Sequence, residues 1–485
     1  MFSLNERLIE TRDKVTHLHS VPLDIADGMI DLLDSTGFFD KPAIYVTAEE
    51  YVNSHRVIDV SCKSGSLLYS CYKKFMVALR DVFPDRDDRE LFIVRYLLYG
   101  FCPDKRYLDL VHNTFYSNQK YDLSNELGNF YHYDFKEQSG VDKKEAKELL
   151  ENMKFDVVCG NPPYNDDMYL DFVMLGHKLA KSYDLWITPA KFWAKLTCDK
   201  DKKFRDMISA SGDSFVVYKN CKDIFDISEP GGIAYYLLGR NNKSSKYRIK
   251  CVHKNSVAFQ SDFEEHEKLE FLPLHTLNIL NKLGKSNFRD TISLKRNYFT
   301  NSDTYSGVSD SSLPITIVQG NKIVGYTNAD NLKTLENLDM YKCIQNCICG
   351  SGSFQADDNG AFLGMPPVYI IKPNEIGKGS FHHLRFFNTL EEATHFVEFM
   401  STKLVNFAYI CGLCGTTNSS EFYRYIPDPG SFDKVYEDKP LEGYTPDENG
   451  VYTDINGVVH CSLYARYKLT DEEVNVIESV IRERK

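Results

Sequence analysis

Phe155-Asp-Val-Val-Cys-Gly-Asn-Pro-Pro-Tyr164 is the stretch that decides how the rest of this chain is read. Phe155 to Cys159 has the length and composition of a buried strand, and at Gly160 it breaks into a segment that two prolines hold extended. A strand end therefore feeds a rigid loop. The residues of that loop suit methylation of an exocyclic amine, whose lone pair is delocalised into its ring and so attacks poorly. The side-chain oxygen of Asn161 and the carbonyl of Pro162 can each accept one N–H of such an amine and favour a tetrahedral nitrogen. Proline has a fixed φ and no N–H, so the Pro162 carbonyl is held still by Pro163 beside it. Tyr164 offers a flat face on which an extruded base can stack. At residue frequencies of about 5% each, this tetrapeptide arises by chance in roughly one chain of this size in several hundred.

Outward from this point the first half alternates. Residues 1–40 read as mostly helical, Lys41-Pro42 opens a short extended piece that ends at Ala48, and Arg56 to Val60 reads as a strand. Ser61-Cys-Lys-Ser-Gly-Ser66 follows as a small-residue turn before an amphipathic helix. An acid at a strand end, followed by a loop of small residues opening a helix, is where α/β sheets hold a nucleoside-bearing cofactor. Asp85 to Glu90 reads as a charged linker, Arg95 to Cys102 as a second strand, Phe130 to Phe135 as a third and Phe155 to Cys159 as the fourth. Asp184 to Pro189, Phe215 to Tyr218 and Ile233 to Leu238 bring the total to seven, in a doubly wound parallel sheet. Near residue 260 the rhythm ends. The expected division is a helical segment over 1–40, a catalytic domain over 41–260, a mixed α+β domain over 261–430, and a strap with a terminal helix over 431–485. Thr470-Asp-Glu-Glu473 is a capping box for that helix.

The chain has 485 residues, 42% of them hydrophobic, which is enough for a sizeable core. No basic leader followed by an apolar stretch opens it, and no uncharged apolar run of membrane length occurs, so the expectation is a cytoplasmic protein without a membrane partner. Its 13 cysteines are scattered through apolar segments and read as reduced, buried thiols, and no metal site is expected. A net charge of -12 excludes a protein that coats nucleic acid indiscriminately. Arg240 to Lys254 nevertheless carries six cations and no acid, and Lys243, Lys246, Arg248 and Lys250 are the candidates for phosphate contacts.

With these residues in order, the chain resembles the adenine-N6 DNA methyltransferases of the gamma arrangement, found in restriction-modification systems and phages. The likeness covers roughly residues 40–240 and implies a Rossmann-like class I methyltransferase sheet, with a target-recognition domain behind it. It implies S-adenosyl-L-methionine as cofactor, double-stranded DNA as partner and a restriction enzyme as a cognate one. Thr47, Asp59, Ser61, Cys62, Gly65, Cys102, Asp104, Asp134 and Phe135 are the cofactor positions it implies. Asn161, Pro162, Pro163 and Tyr164 match the catalytic signature, and Phe225 the aromatic that stacks on the far face of the target adenine. The chain departs from the family at Val60 and Lys63, where a proline and the first loop glycine are usual, and at Cys102, where an acid usually holds the ribose hydroxyls. The signature also serves planar amides, so an RNA base or a protein glutamine stays open as target. A degenerate methyltransferase that only binds DNA or a partner stays open too.

Overall fold

The computed structural model describes residues 20–43, 46–116, 129–193, 199–218, 221–225, 227, 229, 232–240, 247–253, 256–263, 277–284, 287–294, 298, 307–353, 357, 361–413 and 417–483. Its first half is one nine-stranded sheet. The strands are β1 (Val57–Asp59), β2 (Leu98–Cys102), β3 (Phe130–His132), β4 (Phe155–Gly160), β5 (Ala180–Pro189), β6 (Gly212–Tyr218), β7 (Ile233–Gly239), β8 (Tyr247–His253) and β9 (Ser256–Phe263). They lie in the order β3-β2-β1-β4-β5-β7-β6-β8-β9. The first five are mutually parallel, and β7 runs antiparallel to β5 and β6.

Helices cover both faces, which is why β4 is apolar at nearly every position and has no polar side. On one face α1 (Leu23–Asp34), α2 (Ala48–Ser54), α3 (Ser66–Ala78), α4 (Arg86–Tyr96) and α5 (Lys105–Phe115) pack their buried residues with Val57, Val157 and Leu185. On the other, α6 (Lys143–Asn152), α7 (Met168–Leu179) and α8 (Asp199–Ser211) pack theirs with Ile58, Val158 and Trp186. The alternating sheet is therefore as expected, with two more strands than the seven read from the sequence. β8 comes from the basic stretch, where Arg248, Lys250 and Val252 alternate with Ile249 and Cys251; counting its charges hid this period of two. Asp85 to Glu90 is likewise no linker. Asp85 caps α4 by accepting from the Asp88 N–H at 3.0 Å, and Asp87 and Asp88 lie where the helix dipole favours acids.

The second half is mixed. Three small sheets join β10 (Ile315–Gln319) with β11 (Lys322–Thr327) and β14 (Glu375–Gly377); β12 (Tyr341–Asn346) with β13 (Val368–Ile371) and β15 (Phe381–Phe387); and β16 (Val435–Glu437) with β17 (Val451–Thr453) and β18 (Val459–Ser462). The stretch expected as a strap thus builds a sheet, and Asp438 at its edge accepts the N–H groups of Lys403 and Leu404, which open the helix Lys403–Gly412. Thr470 and Glu473 form the capping box of the terminal helix. Among the described residues, no helix is long and apolar enough to cross a membrane.

One buried polar knot fixes α7 and α8 to the sheet. Asp184, fully buried on β5, accepts from the Trp186 indole N–H at 2.8 Å and meets His177 Nδ1 at 2.7 Å, while His177 Nε2 lies 3.2 Å from Ser211 Oγ. The indole lies against Gly176, where a Cβ would fall 2.3 Å from a ring carbon. Alanine is worth about 1 kcal/mol more than glycine inside a helix, but overpacking a core costs about 1–3 kcal/mol. With a Cβ as close as 2.3 Å the upper part of that cost applies, so Gly176→Ala is expected to lower stability by up to about 2 kcal/mol in urea unfolding, and a raised midpoint would show that the indole yields.

Candidate active site

In an open α/β sheet a ligand crevice forms beyond the carboxyl ends of the strands where the strand order reverses, here between β1 and β4. The sequence delivers its small-residue loop and its Asn-Pro-Pro-Tyr loop to that one place. Asp59 pairs in register with Cys159, and the Val60 N–H donates to the Cys159 carbonyl at 3.1 Å. Asp59 turns its carboxylate back on the loop and accepts from the Ser61 N–H at 2.9 Å. The Cys62 N–H donates to Phe101 on β2 at 2.8 Å, which ties the loop to both neighbouring strands.

Two glycines make the closure sterically feasible. At Gly160 a Cβ would stand 2.6 Å from Ser61 Oγ and 3.1 Å from the Trp186 ring, so a side chain there would have to displace the Ser61 hydroxyl. Gly65 takes φ +83° and starts α3, where a Cβ would lie 3.1 Å from Phe115. Between them Ser64 is buried, its hydroxyl without a hydrogen-bond partner among the described residues. Lys63 is buried as well, 7% exposed, and its charge acts on Asp59. The loop thus folds Lys63 inward, although a glycine is usual at this position. Burial pushes the Asp59 carboxyl up to about 7, against the Ser61 hydrogen bond and the Lys63 charge, and pulls the Lys63 ammonium down to about 8.

On the β4 side Asn161 is 4% exposed and Pro162 buried, while Pro163 and Tyr164 are half-buried. The chain then makes a tight turn over Asn165–Asp167 in which Asp166 and Asp167 both hold positive φ, +51° and +57°. L-residues there cost about 1–2 kcal/mol each. The turn is held by Lys191, just past β5, whose ammonium lies 3.0 Å from Asp167 and 3.8 Å from Glu229, and over the Tyr169 ring. Burial raises the Glu229 carboxyl, with Lys191 opposing. Tyr164 points its hydroxyl inward, where burial holds it well above the usual phenol range. No pattern in the sequence marked Asp166, Asp167, Lys191 or Glu229 as part of the site.

The remaining positions divide. Thr47 caps α2 in a reciprocal box with Glu50, accepting from the Glu50 N–H at 3.2 Å and donating to its carboxylate at 2.8 Å. Asp134 accepts the N–H groups of Lys136 and Glu137, and Phe135 packs between Phe101 and Phe172. Asp104 caps α5 and pairs with Arg106 at 2.6 Å. Cys102 is fully buried, its thiol beside that of Cys62, so the position faces the core. Phe225 is buried and meets Tyr164 edge-on, at 6.5 Å and 63°. A base between two rings needs them parallel and about 7 Å apart. Lys243 and Lys246 lie outside the described residues. Arg248 sits opposite Ser214 at the edge where β5 and β6 begin, away from Asn161, and pairs with Asp213 at 3.4 Å beside a cavity of about 420 Å³. Lys250 is half-buried opposite Val216.

No protein-family model matches this chain, and no curated protein matches its sequence. Solved structures that it is similar to include a restriction-modification methyltransferase subunit and two restriction-modification enzymes. A type I restriction-modification methyltransferase subunit from Streptococcus thermophilus is 14% identical, with 49% of each chain covered and a TM-score of 0.32. The type IIL restriction-modification enzyme MmeI, solved with DNA, is 8% identical, with 88% of this chain and 65% of that one covered and a TM-score of 0.40. A nuclease-deletion mutant of the type ISP enzyme LlaGI, solved with a DNA substrate mimic, is 9% identical over 96% of this chain and 65% of its own, with a TM-score of 0.46. The chain thus spans half to two thirds of the length of these proteins. At such identity and overlap, the functional reading rests on this chain's own residues.

The placement of Cys102 decides what an acid there does. A carboxylate in that fully buried thiol environment lacks charge compensation, and Cys102→Asp is expected to lower stability by on the order of 3 kcal/mol. Urea unfolding measures this. A variant as stable as the parent would mean that the side chain reaches solvent or ligand after all.

Proposed function

We propose that the chain is a site-specific DNA methyltransferase acting on the N6 amine of adenine with S-adenosyl-L-methionine as cofactor. The observation that carries the reading is the convergence, at one switch point, of a buried Asn161 and the loop Asp59 to Gly65. S-adenosyl-L-methionine, when bound, supplies an electrophilic methyl group. The residues present fit such a cofactor. Asp59 and Lys63 are buried ionisable groups of the loop, each acting electrostatically on the other, Ser64 has a buried hydroxyl without a hydrogen-bond partner among the described residues, and Gly65 lets the backbone come close to a ligand.

On the substrate side, Asn161 Oδ1 and the Pro162 carbonyl accept the two N–H groups of the target amine, which makes its lone pair available and stabilises the charge that develops on nitrogen. Burial of Asn161 excludes water from those hydrogen bonds and strengthens them. Tyr164 presents its face to an extruded base, and Phe225, edge-on behind it, fixes the tilt of that face. For Phe225 to take the far side of the base, the two rings must turn parallel. The ion pairs Asp167–Lys191–Glu229 hold the strained turn after Tyr164 and so keep Asn161 aimed. The second half, with more than 200 residues beyond the sheet, is the part expected to read the DNA sequence. A restriction enzyme is the partner such an activity calls for.

Expression in a methylation-free host followed by mapping of modified bases tests the reading. N6-methyladenine confined to one short motif is expected; modified cytosine, or no modified base, would overturn it. Asn161→Ala is expected to cut the methylation rate on the order of 100-fold or more while DNA binding stays within a few-fold, because the lost acceptor acts mainly in the transition state. Retention of most of the activity would remove Asn161 from the site.

A further inference from the structure

The second half of the chain divides by charge. Asp and Glu supply 69 of the 485 residues, about one in seven, yet residues 311–329, 341–356, 359–374 and 376–390 contain neither. In those 66 residues the chain's average would place about nine acids. Residues 427–462, by contrast, carry eight acids and two lysines, half of the net charge of -12. A polyanion is repelled by the second surface and admitted by the first.

The acid-free stretches meet at the turn of the β10–β11 hairpin. Gln319 pairs with Lys322, which leaves Gly320-Asn321 as a two-residue loop, and Gly320 takes the positive φ, +59°, that such a loop asks of its first residue. The turn is braced from below. Val318 packs with Ile344, Ile371 and Phe381, Gly320 lies against the Tyr369 ring, and the Lys378 N–H donates to the Val318 carbonyl at 2.8 Å. Gln319, Asn321, Lys322, Ile323 and Val324 are all exposed on this rigid support. Beside them Tyr369 and Phe381 open onto a cavity of about 440 Å³, every lining residue of which belongs to an acid-free stretch. Glu375 and Asp330, the acids that flank these strands in sequence, lie beside Thr316 and beyond Thr327, at the end away from the turn.

We propose that the β10–β11 hairpin enters the major groove of duplex DNA, where Gln319 and Asn321 read base edges and Lys322, across the ribbon from Gln319, meets a backbone phosphate. This rests on the methyltransferase reading above and gives it a specificity element. A major groove about 12 Å wide admits a two-stranded ribbon. Asn and Gln each make a paired hydrogen bond to the N6 and N7 edge of adenine, and an aliphatic side chain such as Ile323 or Val324 suits the methyl group of thymine.

Two measurements with the full-length protein test this, one of them without turnover. The first maps methylated motifs after expression of the parent, Gln319→Ala and Asn321→Ser in a methylation-free host. Each variant is expected to relax one position of the parental motif, with discrimination there falling on the order of 10- to 100-fold. A motif as strict in both variants as in the parent would overturn the base-reading assignment. The second follows the anisotropy of a labelled DNA duplex of random sequence as salt is raised. Lys322→Gln is expected to lower the salt slope by about one, and Lys439→Gln, within the acidic segment, to leave it unchanged. Equal slopes in the parent and Lys322→Gln would remove the hairpin from the DNA. So would equal binding of a duplex RNA with the same dependence on Lys322, because the deep, narrow major groove of RNA shuts out a ribbon. A parent that shows the Lys322-dependent slope but methylates nothing would leave the DNA face standing and sink the methyltransferase reading instead.

Discussion

Three residues of β1 in parallel register with three of β4 are the constraint on which the candidate site depends: Val57 with Val157, Ile58 with Val158 and Asp59 with Cys159. Two loops from distant parts of the sequence leave the sheet side by side because of this pairing. Neither loop is built to stand alone. The first takes its backbone hydrogen bonds from Cys159 and Phe101, on strands to either side, and the second begins at the glycine against which Ser61 closes. A slip of one residue would turn every side chain of β1 to the other face and carry Asp59 out of the crevice. That register is protected by the packing of both faces, since Val57 and Val157 point into one core and Ile58 and Val158 into the other.

The parts of the molecule that were legible in the sequence are those in which local chemistry and global position agree. Phe155 to Gly160 reads as a central strand because its run of apolar residues is what burial on both faces selects, and Thr470 to Glu473 reads as a helix start because its hydrogen bonds are local. Legibility fails where two signals overlap. Asp85 to Glu90 looked like a linker since its acids were counted as charge and not as a cap, and in residues 247–253 the cations suggested phosphate contacts although the alternation fits a strand. Within the site, residue types pointed to Asn161 and Asp59, but no spacing could show that Lys63 turns inward or that Cys102 faces Cys62. Both depend on how the ends of β1 and β2 meet.

The site also carries cost, and the cost lies close to the residues that matter. Two consecutive aspartates in the left-handed region follow Tyr164, at about 1–2 kcal/mol each, and two buried ionisable side chains, Asp59 and Lys63, belong to the other loop. Such strain persists only where surrounding structure over-determines it. On the Tyr164 side the Lys191 ion pairs do this at the surface, and the Asp184, His177 and Trp186 knot does it beneath.

That knot has a longer reach. α7 starts immediately after the strained turn, and its buried residues Tyr169, Phe172 and Val173 belong to the same hydrophobic core as Phe288, Phe396 and Phe399 of the second half. The loop that carries Asn161 is thus joined by one continuous packed layer to the helices of the C-terminal half. The two halves of the chain thus share one core, and α7, which begins at the strained turn, belongs to it.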